Sequence, residues 1–306
     1  MITRLAKADI RIGMFVEAVE GAELSFGKRR FLLESDGDLD AIQASTAEFV
    51  LINTAFGADT AKARIAAAKD GLKKSLSPEE ARVKASEVVA RSTRILKAEL
   101  IAIVTGGAFD KTKIAPVIDE IVEADRTTSS LFFEVSRLKH KDETTFQHSL
   151  AVGTLMGKLG DALEMDKETV ELLVLSGLIH DVGKLTIPQS ILQKQGPLTQ
   201  AERKLIQMHP KRGHQILKQY AAIPEEALDI CLHHHEVLDG SGYPSRLSGS
   251  KIGPLVRVST VCDVFEALTS ARPYKHGWPV ADALTWMFDR DHLFDRKLVT
   301  RLGGVI

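Results

Sequence analysis

Three consecutive histidines, His233, His234 and His235, run through Glu236 into the turn-forming segment Asp239-Gly240-Ser241-Gly242-Tyr243-Pro244. Few folds gain stability from three adjacent imidazoles. Neutral imidazole is a common ligand for divalent transition-metal ions, and neighbouring histidines converge on an ion only where the backbone is sharply redirected. Gly240 and Gly242 supply that redirection. About fifty residues upstream, the run Gly177-Leu178-Ile179-His180-Asp181-Val182-Gly183-Lys184 ends an apolar, helix-like stretch in a His-Asp pair.

All ten histidines lie at or beyond His140, so the expected chemistry sits in the C-terminal half of the 306 residues. That asymmetry, and a hydrophobic fraction of 44%, predict two folded domains. A net charge of -1 gives no general electrostatic case for nucleic acid or a membrane surface as partner. Cys231 and Cys262 are too few for a disulfide framework and sit in apolar sequence, which suits buried thiols in a reducing compartment. The N-terminus lacks the apolar core of a secretory signal and no uncharged apolar run reaches membrane-spanning length, so a soluble cytoplasmic protein is expected.

The fold is expected to be mainly α, with a small α+β domain at 1–75, a helical linker at 76–124 and an all-α domain at 125–306. Short apolar runs such as Phe31-Leu32-Leu33 and Phe49-Val50-Leu51-Ile52, split by Asp36-Gly37-Asp38 and Asn53, have strand-and-turn punctuation. Residues 59–75, rich in Ala and Lys, read as a solvated helix or a linker. Ser77-Pro78-Glu79-Glu80 is a helix start, followed by Val89, Leu96, Leu100 and Ile103 on one stripe until Gly106-Gly107. That stripe packs within its own domain or pairs two protomers. A second helix is predicted from Pro116 to Lys139, and helical periodicity continues through the remaining histidine-bearing segments.

Seven residues are candidate metal ligands: His148, His180, Asp181, His209, His234, His235 and Asp263. A lone histidine at a helix end is more often a packing or capping residue, so the case rests on the set. Asp181 follows the apolar helix Leu172 to Ile179, where an unpaired carboxylate is costly, and a bridging carboxylate can join two ions in a phosphoryl-transfer site. Asp181 is the candidate bridge of a di-metal hydrolase.

The motifs HDVGK at 180–184, HHE at 234–236 and DGSGYP at 239–244 resemble the HD-GYP domain, the branch of the HD phosphohydrolases that hydrolyses cyclic di-GMP. The similarity extends through Phe146-Gln147-His148-Ser149, Ile191 to Lys194, His209-Pro210, Cys262 to Ser270 and Arg272-Pro273-Tyr274, covering about 125–295. Residues 10–17 are similar to the opening of an uncharacterised domain that often precedes it. The resemblance implies one ion on His148, His180, Asp181 and Asp263, and a second on Asp181, His209, His234 and His235. It implies iron or manganese as the pair, with zinc and nickel as alternatives, and a bridging hydroxide that attacks the phosphodiester. Lys184 matches the family's phosphate-binding lysine, and Arg272 and Lys275 match positions that grip the dinucleotide phosphates. The resemblance associates the Gly-Tyr-Pro loop with a diguanylate cyclase domain as partner, the alternative being a plain structural turn, and a homodimer is a further expectation.

Two departures stand out. Thr144 occupies the position where some members carry a Glu ligand for a third metal, which predicts two ions. The chain ends at Gly303-Gly304-Val305-Ile306, short of the tail usual in the family. The expected product is linear pGpG, with GMP as the further step. The rival reading is a catalytically weak cyclic di-GMP sensor or interaction protein. His233 and Glu236 are expected outside the ligand set, with Glu236 orienting an imidazole or facing solvent.

Overall fold

The computed structural model describes residues 2–20, 31–53, 78–124, 126–136, 144–270 and 277–306. The chain divides into two compact units, Met1–Ser77 and Pro78–Ile306. The segment 59–75 and residues Arg272, Lys275, His140 and His276 lie outside the described residues, as does the side chain of Thr144.

The first unit is an antiparallel sheet of β1 (Ile2–Ala6), β2 (Phe15–Glu20), β3 (Phe31–Leu32) and β4 (Phe49–Asn53), in the order β1-β4-β2-β3. Helix α1 (Asp36–Ala44) starts where the Ser35 side chain accepts the Asp38 N–H. Alternation sends Val50 and Ile52 of β4 inward, where they join Ile10, Met14, Val16, Leu33 and Ile42 in a small core.

No strand occurs after residue 110 among the described residues, and the second unit is helical. Its first helix, α2 (Pro78–Val104), buries Ala85, Val89, Leu96, Leu100 and Ile103 in the same core as residues from 114 to 231. The expected stripe therefore packs within its own unit. Fully burying each of the larger side chains, Val89, Leu96, Leu100 and Ile103, stabilises the fold by roughly 1.5–3 kcal/mol. The helix expected from Pro116 to Lys139 is two helices, α3 (Lys111–Val122) and α4 (Arg126–Ser136). Asp110, whose side chain accepts the Thr112 N–H, starts α3 ahead of Pro116, and the proline is carried inside the helix.

The remaining helices are α5 (Thr144–Ala162), α6 (Lys167–Ile179), α7 (Gln189–Leu192), α8 (Gln200–Ile206), α9 (His209–Leu217), α10 (Glu225–His233), α11 (Pro254–Thr269), α12 (Val280–Phe288) and α13 (Arg296–Gly303). Helices α6 and α11 are buried nearly all round: Leu173 to Ile179 on the first, and Val258 to Asp263 with Phe265 and Glu266 on the second. An element packed on every face is held rigidly, and these two carry His180-Asp181 and Asp263. Among the described residues no helix is long and apolar enough to cross a membrane.

Candidate metal centre

Five elements deliver the seven candidate ligands to one point. His148 projects from α5, His180 and Asp181 end α6, His209 begins α9, His234 and His235 follow α10, and Asp263 lies on α11. Gly183 allows α9 to come this close, since a Cβ there would stand 2.0 Å from the His209 carbonyl oxygen. All seven are buried except His235, which is partly covered.

Asp181 is the hub, and its two oxygens face different partners. Oδ2 lies 3.3 Å from His148 Nε2, 3.4 Å from His180 Nε2 and 2.5 Å from Lys184 Nζ. Oδ1 lies 3.2 Å from His209 Nε2 and 3.7 Å from His234 Nε2. Asp263 stands across from both sides, with Oδ1 3.0 Å from His148 Nε2 and Oδ2 3.6 Å from His235 Nδ1. Ligand-capable atoms of His148, His180 and Asp263 lie within 4.8 Å of one another, as do those of His209, His234 and His235.

The imidazoles are oriented from behind. Nδ1 of His180, His209 and His234 lies 2.8, 2.7 and 2.9 Å from the carbonyl oxygens of Gly177, Ile206 and Cys231. A ring that donates Nδ1–H to a carbonyl leaves Nε2 as a lone pair, the tautomer a cation needs. His148 makes the corresponding contact to a carboxylate: its Nδ1 is 2.5 Å from Glu266 Oε2. Ser270 Oγ donates to the other oxygen of Glu266 at 2.5 Å. Glu266 was not among the expected site residues, although its i,i+3 spacing from Asp263 on one helix face was a signal in the sequence.

The residues present fit a pair of cations. Nε2 of His148, Nε2 of His180 and Oδ1 of Asp181 are buried and make no well-formed hydrogen bond, although carboxylate or imidazole atoms stand 3.0–3.4 Å away. Buried polar atoms are rarely left unpaired, and three of them converge here. Burial raises the carboxyl of Asp181, yet Lys184, His180 and His148 overcome it and hold the group well below the usual range. Burial also lowers His234 to about 4 and depresses His209 and His235, which keeps three imidazoles neutral. His148 differs. Burial opposes its charge, but Glu266, then Asp181 and Asp263, raise it to about 10.

Lys184 sits in the tight turn Val182–Thr186, half-buried beside Asp181. His233 turns away from the centre, with Nδ1 2.7 Å from Asp229 Oδ1 and Nε2 3.3 Å from Ser245 Oγ. Glu236 does not face solvent: its carboxylate is buried and accepts backbone N–H groups from Ser245 and Leu247. Cys231 and Cys262 are free and buried, and burial pushes both thiols up.

Residues 133–298 match the model of the HD domain, and residues 2–142 match a domain of unknown function (DUF3391). A protein named cyclic di-GMP phosphodiesterase PA4108, from Pseudomonas aeruginosa, is 35% identical over 97% of this chain and 75% of its own length. The cyclic di-GMP phosphodiesterase response regulator RpfG of Xanthomonas campestris pv. campestris is 32% identical over 76% of this chain and 60% of its own length. Among solved structures, Bd1817, an HDG"Y"P protein from Bdellovibrio bacteriovorus, shares the fold, with a TM-score of 0.56 at 16% identity over 100% of this chain and 99% of that one. With the family model covering more than half of its length, this chain belongs to the HD domain family, joined to an N-terminal domain of unknown function.

Proposed function

We propose that this chain is a phosphodiesterase that hydrolyses cyclic di-GMP to linear pGpG, with GMP as the product of a further cut. The observation that carries the reading is the division of Asp181: one oxygen faces His148 and His180, the other faces His209 and His234. On this reading His148, His180, Asp181 and Asp263 hold one divalent ion, and Asp181, His209, His234 and His235 hold the other, iron or manganese in each case. Such a pair, when bound, supplies Lewis acidity toward phosphoryl oxygens and acidifies water to give a nucleophile near neutral pH.

The chain's own groups do the rest. Asp181 ties the two halves together, and the carbonyl-bound imidazoles keep their ligand faces preset. The Lys184 ammonium is at the centre's edge, placed to neutralise charge on a non-bridging phosphate oxygen. Arg272 and Lys275 are proposed to grip the dinucleotide's phosphates, Arg272 by a two-pronged contact. The units fall to an N-terminal module at 1–75, a helical segment at 76–124 and the hydrolase at 125–306. The Asp239–Pro244 loop is the proposed contact for a diguanylate cyclase domain, a homodimer is the proposed assembly, and two buried free thiols suit the cytoplasm.

The test is anaerobic turnover of cyclic di-GMP by protein loaded separately with iron and with manganese, with metal counted per chain and products resolved. Turnover with two ions per chain is expected, and mononucleotides and cyclic mononucleotides should be poor substrates. Full metal loading with nucleotide binding but no hydrolysis would overturn the enzymatic reading.

A further inference from the structure

Glu236 accepts the Ser245 N–H at 2.6 Å on one oxygen and the Leu247 N–H at 3.0 Å on the other. Between those donors Arg246 adopts a left-handed φ of 55°, which turns the flanking amides toward one anion. The chain supplies that anion itself. Gly242 lets the loop lie directly on the end of α10: an added Cβ would stand 2.5 Å from the His235 carbonyl oxygen and 2.6 Å from the Glu236 Cα. Held in this way, the loop sets the Tyr243 ring against the His235 imidazole, with centroids 4.7 Å apart and planes tilted by 33°.

His235 needs such a support more than its neighbours do. Nδ1 of His180, His209 and His234 is anchored on a carbonyl oxygen and that of His148 on Glu266. Among the described residues no hydrogen bond fixes the His235 ring, whose Nδ1 is 3.6 Å from Asp263 Oδ2. We propose that Glu236 and Tyr243 are positioning residues for His235, with Glu236 clamping the loop and Tyr243 fixing the plane of the imidazole by stacking. Neither belongs to the proposed ligand set. The inference rests on the reading of His235 as a metal ligand.

The test uses the full chain loaded with cobalt(II), reading the affinity for each of two ions by chelator competition and the visible absorption bands that report ligand geometry. Tyr243→Ala and Glu236→Gln should each weaken one ion by about 10- to 100-fold and shift its bands, with the other ion held as in the unmodified chain. Tyr243→Phe keeps the ring and should restore both the affinity and the bands. Unmodified affinities and bands in Tyr243→Ala, or equal damage from Phe and Ala, would overturn the proposal. If Glu236→Gln does not fold, the two Tyr243 variants decide by the same readouts. His235→Ala separates this inference from the reading beneath it: two ions held at full affinity in that variant would sink the ligand assignment itself.

Discussion

The Nδ1 nitrogen of His148 lies 2.5 Å from Oε2 of Glu266, while the Ser270 hydroxyl donates to Oε1 of the same carboxylate at 2.5 Å. Glu266 is fully buried, and a carboxylate in that setting fixes the ring it faces and makes its far nitrogen a stronger donor to a cation. Glu266→Gln should therefore weaken metal binding by about 10- to 100-fold while leaving the helix intact. Chelator competition measures the affinity and circular dichroism the helix. Unchanged affinity in a folded variant would show that the contact is only packing.

The two classes of imidazole give the metal-free chain opposite pH limbs. His234 is lowered to about 4, so its stabilising contribution is complete above the ordinary value of about 6.5 and is lost as pH falls toward 4. His148 is raised to about 10, so its contribution is complete below about 6.5 and is lost as pH rises through 10. Calorimetry of chelated protein should find the melting temperature highest near the ordinary histidine value and falling on both sides. On the proposed ligand set, metal binding replaces the His148 proton, so the alkaline limb should disappear in loaded protein. A flat alkaline limb in chelated protein would contradict the environment described for His148.

The members of this cluster are legible in the sequence because each breaks a local rule: a His-Asp pair closes an apolar helix, and three histidines precede a glycine turn. What the sequence cannot carry is which oxygen of Asp181 faces which ring, since those partners lie up to 53 residues away in the chain and meet only through packing. The contact that gives Glu266 its role is equally illegible, since His148 lies 118 residues away in the chain. The break between α3 and α4 was hidden because apolar periodicity runs on through both helices, while the start is set by the Asp110 cap and not by Pro116. The stripe on α2 was visible, but its destination in the core of the second unit was one of two outcomes that periodicity leaves open.

Because Asp181 faces both histidine pairs, its removal and that of a one-sided ligand should differ in kind. Asp181→Ala should lose both ions and turnover together. His209→Ala removes a ring that faces only Oδ1, so it should release one ion and retain the other. Metal analysis after gel filtration gives the count. Retained turnover in a metal-free Asp181→Ala protein would end the two-ion reading.

Lys184 offers a sharper discrimination. Its Nζ is 2.5 Å from Asp181 Oδ2, and its side chain keeps 23% of its surface exposed, so it can serve either as a counter-ion for the buried carboxylate or as a contact for substrate phosphate. The two roles have opposite signatures. A counter-ion competes with the metal for Asp181, so Lys184→Met would tighten metal binding and leave kcat alone. A phosphate contact acts on charge that develops during reaction, so its loss lowers kcat by about 10²–10³-fold with the metal count unchanged. We expect the second result, with KM moving less than kcat, measured by steady-state turnover of cyclic di-GMP alongside metal analysis. A variant that holds its ions more tightly and turns over at the original rate would confine Lys184 to its contact with Asp181.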